Sequence, residues 1–207
     1  MNARGDGKRR GRDSRDSWSA VKADVAGYAR LLAGIVLLLW AVLAIDLLLG
    51  GSLRGLGIRP RQAAGLIGIP LHPFLHVGVF HLLMNTIGLV VLGGLVLLRD
   101  ERDFWLATAL GVVVGGTGTW LLGSPGIHIG ASGVVFAYFG YLLTTGLFER
   151  RIGALLLSTL VFLAWGGLLL GLLPGQRGIS WEGHLFGFLA GVLVARLRAR
   201  RRTSPAG

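Results

Sequence analysis

The sequence predicts an all-helical integral membrane protein, a bundle of six transmembrane helices whose fourth is short and begins inside the bilayer. Three observations predict it. Hydrophobic residues fill 53% of the 207 positions and charged residues only 15%, with a mean hydropathy of +0.66; a soluble domain carries about 25% charge. The apolar residues gather into six stretches near the ~20 residues a helix needs to cross a bilayer. None of the six alternates apolar with polar as a strand does, and only helices and closed barrels satisfy their backbone groups in lipid.

Residues 1–27 begin MNARGDGKRRGRDSRDS. With little to bury, they read as a disordered basic tail, and no cleavable leader is evident in them. The spans follow at Tyr28–Leu49, Val77–Leu98, Phe104–Leu122, Ala131–Leu147, Ile152–Leu173 and Trp181–Leu197. The membrane domain is therefore 28–198, and 199–207 form a second basic tail. Arg and Lys fall mostly on one side: eight up to Arg30, Arg99 and Arg102, Arg150 and Arg151, and five from Arg196 to Arg202. The other side holds only Arg54, Arg59, Arg61 and Arg177. The positive-inside rule then puts both termini in the cytoplasm of a multi-pass protein of the cell membrane. The same basic tails suit anionic lipid headgroups. The net charge of +11 is thus topological and does not indicate nucleic acid as a partner. The absence of Cys excludes disulfides and thiolate chemistry.

The fourth span is the irregular one. From Ser132 to Leu147 it reaches about 24 Å at 1.5 Å per residue, short of the ~30 Å hydrocarbon core. The loop before it, GSPGIHIG, is rich in Gly and carries Pro125. Such backbone at membrane depth must be buried in protein or line a watery cavity, so Ser132 sits below the surface in the first turn of a helix. Free N–H groups and a partial positive charge gather there, suited to a developing oxyanion. The same Gly-Ala-Ser-Gly is equally compatible with a plain helix contact between small residues.

Spans two, four and six run in the same direction. His81 and Asn85, Ser132, and His184 lie near their starts and so share one depth toward the outer leaflet. Polar residues inside a membrane are costly and are functional candidates, and a Ser with a His at one depth is a candidate nucleophile and base. The alternative for His184 is a hydrogen bond to a neighbouring carbonyl. Gly183, Gly187 and Gly191 recur one turn apart on span six, and Gly133, Ala137 and Gly140 answer on span four, a pattern for close backbone approach. Eight of the ten acids lie on the cytoplasmic side. Of the two others, Glu182 is two residues from His184 and does not face it, and Asp46 is placed to cap or to pair with a loop Arg. A Ser–His dyad is indicated over a triad with an acid.

Three stretches carry a resemblance. HPFLHVGVFHLLMNTIGLVVLG, with His81 and Asn85, resembles the second span of rhomboid intramembrane serine proteases. GASGVVFAYFGY resembles their Gly-x-Ser-Gly motif at Gly130–Gly133, and EGHLFGFLAG resembles their sixth span, with His before a Gly ridge. Order and six-span plan match over about Tyr28–Leu197. The resemblance implies a peptide hydrolase in which Ser132 attacks, His184 transfers the proton, and His81, Asn85 and the Ser132 backbone N–H form the oxyanion hole. It implies that Gly130 permits the tight loop and that Phe136, where the family often has Tyr, stacks on His184. It implies single-span membrane proteins as substrates, and neither metal nor cofactor. Here the first outer loop, Gly50–Leu71, lacks the Trp-Arg pair of some members. His72 and His76 match positions often His in the family and read as structural; His128 has no assigned role. Two other functions are compatible with the chain: a catalytically silent rhomboid-like protein that binds membrane clients, which the presence of both Ser132 and His184 disfavours, and a small transporter, which a lack of internal repeats disfavours.

Overall fold

The computed structural model describes residues 6–176 and 178–203. Among them the structure is helical, and the only extended pairing is one isolated bridge between Ile58 and His128. Six long helices are present: α1 Asp6–Leu48, α2 Val79–Arg99, α3 Glu101–Leu122, α4 Ser132–Glu149, α5 Ile152–Leu172 and α6 Trp181–Thr203. Four carry segments long and apolar enough to cross a membrane: Val21–Leu48 and the whole of α2, α3 and α5. Short helical turns at Ser52–Leu56 and Ala63–Phe74 fill the connection from α1 to α2.

The N-terminal tail differs from the sequence reading. Residues expected to be disordered through 27 are helical from Asp6. Helix nucleation is costly and propagation is not; the apolar part from Val21 supplies the nucleus, and no proline precedes Pro60 to stop extension toward the N-terminus. At the other end α6 continues into the expected basic tail as far as Thr203. Residues 1–5 and 204–207 of the two tails lie outside the described residues.

The core is α4. Every residue from Gly133 to Leu142 is buried, as suits a helix that is apolar on all sides, and α2, α3, α5 and α6 surround it. The closest neighbour is α6. A Cβ added at Gly187 would lie 3.0 Å from the Gly133 Cα, and one added at Gly191 would run into the backbone of Ala137 and Tyr141. The seam is therefore backbone against backbone. In lipid no hydrophobic force drives helices together, so close van der Waals packing of this kind has to hold them.

The end of the bundle away from Ser132 is held by charge. Arg99 on α2 pairs with Glu149 on α4 at 2.5 Å and donates to the Tyr141 hydroxyl at 3.1 Å. Tyr141 donates to the fully buried Asp103 of α3 at 2.5 Å. Arg198 on α6 pairs with Asp103 and, at 2.8 Å, with Asp100. Asp100 also caps α3, accepting from the Arg102 N–H. The sequence reading treats the charged members only as charge on the cytoplasmic side and gives Tyr141 no part.

By contrast α5 is thinly attached. Its firm anchor is Ser158, which accepts from the Gly146 N–H at 2.9 Å and donates to the Leu142 carbonyl at 2.8 Å. Its final segment, Gly166–Leu172, winds as a 3₁₀ helix with no buried residue.

Candidate active site

Ser132 is the first residue of α4, preceded by Ala131 with φ −76° and ψ 0°. The Gly- and Pro-bearing loop cannot continue as a helix, so α4 starts at Ser132, whose N–H has no partner in the preceding turn of a helix. His184 lies in the first turn of α6. The seam of glycines brings the two helices to backbone contact, and the His184 Nε2 then lies 2.9 Å from the Ser132 Oγ. The other ring nitrogen, Nδ1, lies 3.0 Å from the carbonyl oxygen of Gly171 on α5. One turn beyond Ser132, Phe136 stacks on the imidazole, with centroids 4.1 Å apart and planes inclined by 12°. Among the described residues no acid hydrogen-bonds to His184: Glu182 bonds to Ser124 instead, and Asp46 accepts from the Leu53 N–H at 2.9 Å and from Arg54 at 2.7 Å.

His81 and Asn85 stand one turn apart on α2, and the Asn85 amide donates to the His81 carbonyl at 3.1 Å. Both face Gly130. A Cβ there would lie 2.7 Å from His81 Cε1 and Nε2 and 3.6 Å from Asn85 Nδ2. Gly130 adopts φ +122°, a conformation that L side chains disfavour. Its N–H donates to the His72 carbonyl at 2.8 Å. The next N–H, of Ala131, donates to His76 Nε2 at 3.4 Å, and the His76 ring meets His81 edge-on at 5.1 Å. His72 closes its own turn through Nδ1 and the Ile69 carbonyl at 2.8 Å. His72 and His76 thus brace the turn that presents Gly130.

A second brace holds the loop from Gly123 to Gly130. The buried Glu182 accepts from both the N–H and the hydroxyl of Ser124, at 2.8 and 2.6 Å. His128 donates from Nε2 to the Ser124 carbonyl at 2.9 Å, so its Nδ1 accepts from the Ser180 hydroxyl at 2.7 Å. The sequence reading leaves His128 and Glu182 without these roles. Their separations from Ser180 and Ser124, 52 and 58 residues, give a local pattern nothing to catch.

His81, Asn85, Ser132, Phe136, Trp165 and His184 all line one cavity of about 650 Å³. The structure therefore brings together the residues singled out on α2, α4 and α6, and Gly133, Gly187 and Gly191 form the seam behind them. Chemically the cavity presents a hydroxyl bonded to an imidazole, with side-chain donors of α2 beside a glycine-shaped turn.

The chain matches the family model of the Rhomboid domain over residues 63–201, a stretch that includes every residue of the cavity just named. Over 171 residues it is 44% identical to an uncharacterized protein of Mycobacterium tuberculosis, covering 78% of this chain and 71% of that one. Over 169 residues it is 43% identical to an uncharacterized protein of Mycobacterium leprae, covering 77% and 67%. RHOMBOID-like protein 1 of Arabidopsis thaliana is 34% identical over 131 residues, 58% of this chain and 31% of the plant protein. With the domain matched over well more than half its length, the chain belongs to the rhomboid family.

Proposed function

We propose that this chain is an intramembrane serine endopeptidase that cuts single-span membrane proteins, with Ser132 as nucleophile and His184 as general base. The observation that carries the reading is the 2.9 Å separation of His184 Nε2 and Ser132 Oγ inside a cavity, within the reach a base needs to take a proton. The Ser132 hydroxyl donates to Nε2 and attacks the scissile carbonyl. The oxyanion that forms is held by the Ser132 N–H at the start of α4 and by the His81 and Asn85 side chains, the donor arrangement that contributes most in such sites. His184 then passes the proton to the leaving amine, and water taken through the same steps releases the acyl group.

All six helices cross the cell membrane in this reading. The 18 residues of α4, about 27 Å long, fall short of a ~30 Å core, which the loop before Ser132 makes up from within the protein. Both termini and the network around Asp103 lie on the cytoplasmic side, where most of the Arg and Lys residues fall, and the cavity opens toward the other face. The membrane domain is 28–198, and its further partners are lipids.

A fluorophosphonate probe tests the chemistry. Wild-type protein in detergent is labelled, and Ser132→Ala and His184→Ala lose both labelling and cleavage of a single-span reporter. Folded wild-type protein that neither labels nor cleaves would falsify the protease and favour a client-binding relative. The topology is read with single cysteines, which the Cys-free chain accepts without background: cysteine at Arg54 reacts with an impermeant maleimide in intact cells, and cysteine at Arg150 does not.

A further inference from the structure

A serine hydroxyl can give its proton to His184 Nε2 only if that nitrogen carries none of its own. In neutral imidazole this fixes the proton on Nδ1. A carboxylate on the second nitrogen does this in a triad, and here no carboxylate among the described residues hydrogen-bonds to the ring. The group that does reach it is the Gly171 carbonyl, 3.0 Å from Nδ1. A carbonyl only accepts, so Nδ1 donates and Nε2 is left as the acceptor.

We propose that the Gly171 carbonyl is the positioning group of the Ser132–His184 pair, so that the upper end of α5 belongs to the catalytic unit; this rests on the protease reading above. Three features of the chain single out this carbonyl. It lies in the last turn of α5, where helix carbonyls lack partners within the helix. The carbonyls on either side of it are taken by one side chain: Gln176 Nε2 donates to Leu170 O and, at 3.4 Å, to Leu173 O. And a side chain here would crowd the ring. A Cβ at Gly171 would lie 3.0 Å from Phe136 Cζ and 3.2 Å from His184 Nδ1, so the missing side chain lets the backbone come up against both the imidazole and the ring stacked on it.

The attachment of α5 gives this bond a consequence. The helix is fixed at its lower part by Ser158 and has no buried residue along Gly166–Leu172. Outward displacement of the upper end removes the acceptor from Nδ1. The imidazole is then free to turn or to move its proton to Nε2, and Ser132 loses its base while every α4–α6 contact stays in place.

The test uses full-length protein with ¹⁵N-labelled histidine. In the wild type, His184 shows the Nδ1-protonated tautomer, assigned by its loss in His184→Ala. Replacing Leu172 by its α-hydroxy acid turns the Gly171 carbonyl into a weaker, ester acceptor. The His184 Nδ1–H resonance then moves upfield, and kcat on a single-span reporter falls about three- to tenfold with KM unchanged. Gly171→Ala, which presses the segment away from the ring, lowers kcat further, again at constant KM. The same ester at Leu170, whose neighbouring carbonyl is not the one on the ring, is the control and changes neither. An Nε2-protonated tautomer in the wild type, or an unchanged resonance and kcat in the Leu172 ester, overturns the proposal. Probe labelling of the wild type separates the two readings: labelled enzyme with an indifferent ester sinks only the role of Gly171, whereas unlabelled folded enzyme sinks the protease itself.

Discussion

Gly130→Ala adds one methyl group to a residue held at φ +122°, and the structure gives two separate costs for it. The backbone conformation disfavours any L side chain, at about 1–3 kcal/mol for a residue kept in such a region. The methyl carbon also arrives 2.7 Å from the Cε1 and Nε2 of His81. Ordinary carbon contacts need about 3.5–4.0 Å, so the imidazole or the turn must yield by about 1 Å. Misplacement on that scale costs about 10²-fold in rate, matching the lower end for losing one oxyanion donor. The first cost falls on stability and the second on the transition state, and the two are measured apart. Gly130→Ala should remain helical by circular dichroism, unfold at a lower temperature, and be labelled by a fluorophosphonate about 10²-fold more slowly than wild type. Cleavage of a single-span reporter should fall by a similar factor. A folded variant whose labelling and cleavage stay within about threefold of wild type would refute the placement of His81 at the developing charge.

Three further outcomes follow from the packing. Asp103→Leu strips the acceptor from Tyr141 and one carboxylate from Arg198; because Arg198 keeps Asp100, the loss should fall at or below the ~3–5 kcal/mol of a broken buried pair, read as a lowered midpoint in thermal or denaturant unfolding in detergent, and an unchanged midpoint refutes the network. Gly191→Val drives a side chain into the Ala137 and Tyr141 backbone and should abolish folded protein, whereas Gly115→Ala, whose nearest neighbour is 3.6 Å from the new carbon, should cost less than about 1 kcal/mol; equal behaviour of the two on gel filtration and unfolding would contradict the seam. Glu182→Ala releases both bonds to Ser124 and loosens the loop that carries Gly130, so kcat should fall about tenfold with His184 still stacked on Phe136; Ser124→Ala, which keeps the backbone bond, should fall less, and an unaffected Glu182→Ala would show that the loop is held elsewhere.

The parts of the fold and of the candidate site that were legible in the sequence share one property: they are written in residue types at short spacing. Apolar length marked the helices, the small residues one turn apart marked the α4 and α6 faces, and His81, Asn85, Ser132 and His184 stood out as polar groups at one depth. The illegible parts are of three kinds. A backbone carbonyl has no letter, so Gly171 could not be distinguished from any other glycine of the fifth span. Hydrogen bonds and ion pairs between distant helices leave no local trace; Tyr141 and Asp103 are 38 residues apart, and Arg198 and Asp103 are 95 apart. And composition judges whether a segment can be buried, not whether it can extend a helix already begun, so it marks the residues from Asp6 to 27 as disordered although α1 includes them.

The glycine seam between α4 and α6 has no rotamers. A contact made by side chains can adjust by hopping between staggered wells, and it loses rotamer entropy when it forms; a contact made by two backbones has neither slack nor that cost. Ser132 and His184 are mounted on opposite sides of this joint, each within a turn of it. The separation of their backbones is therefore a property of a single stiff body, insensitive to the side-chain motions around it. Whatever movement opens the cavity has to come from parts that are not mounted on that body, and the backbone separation of Ser132 and His184 need not change while they move.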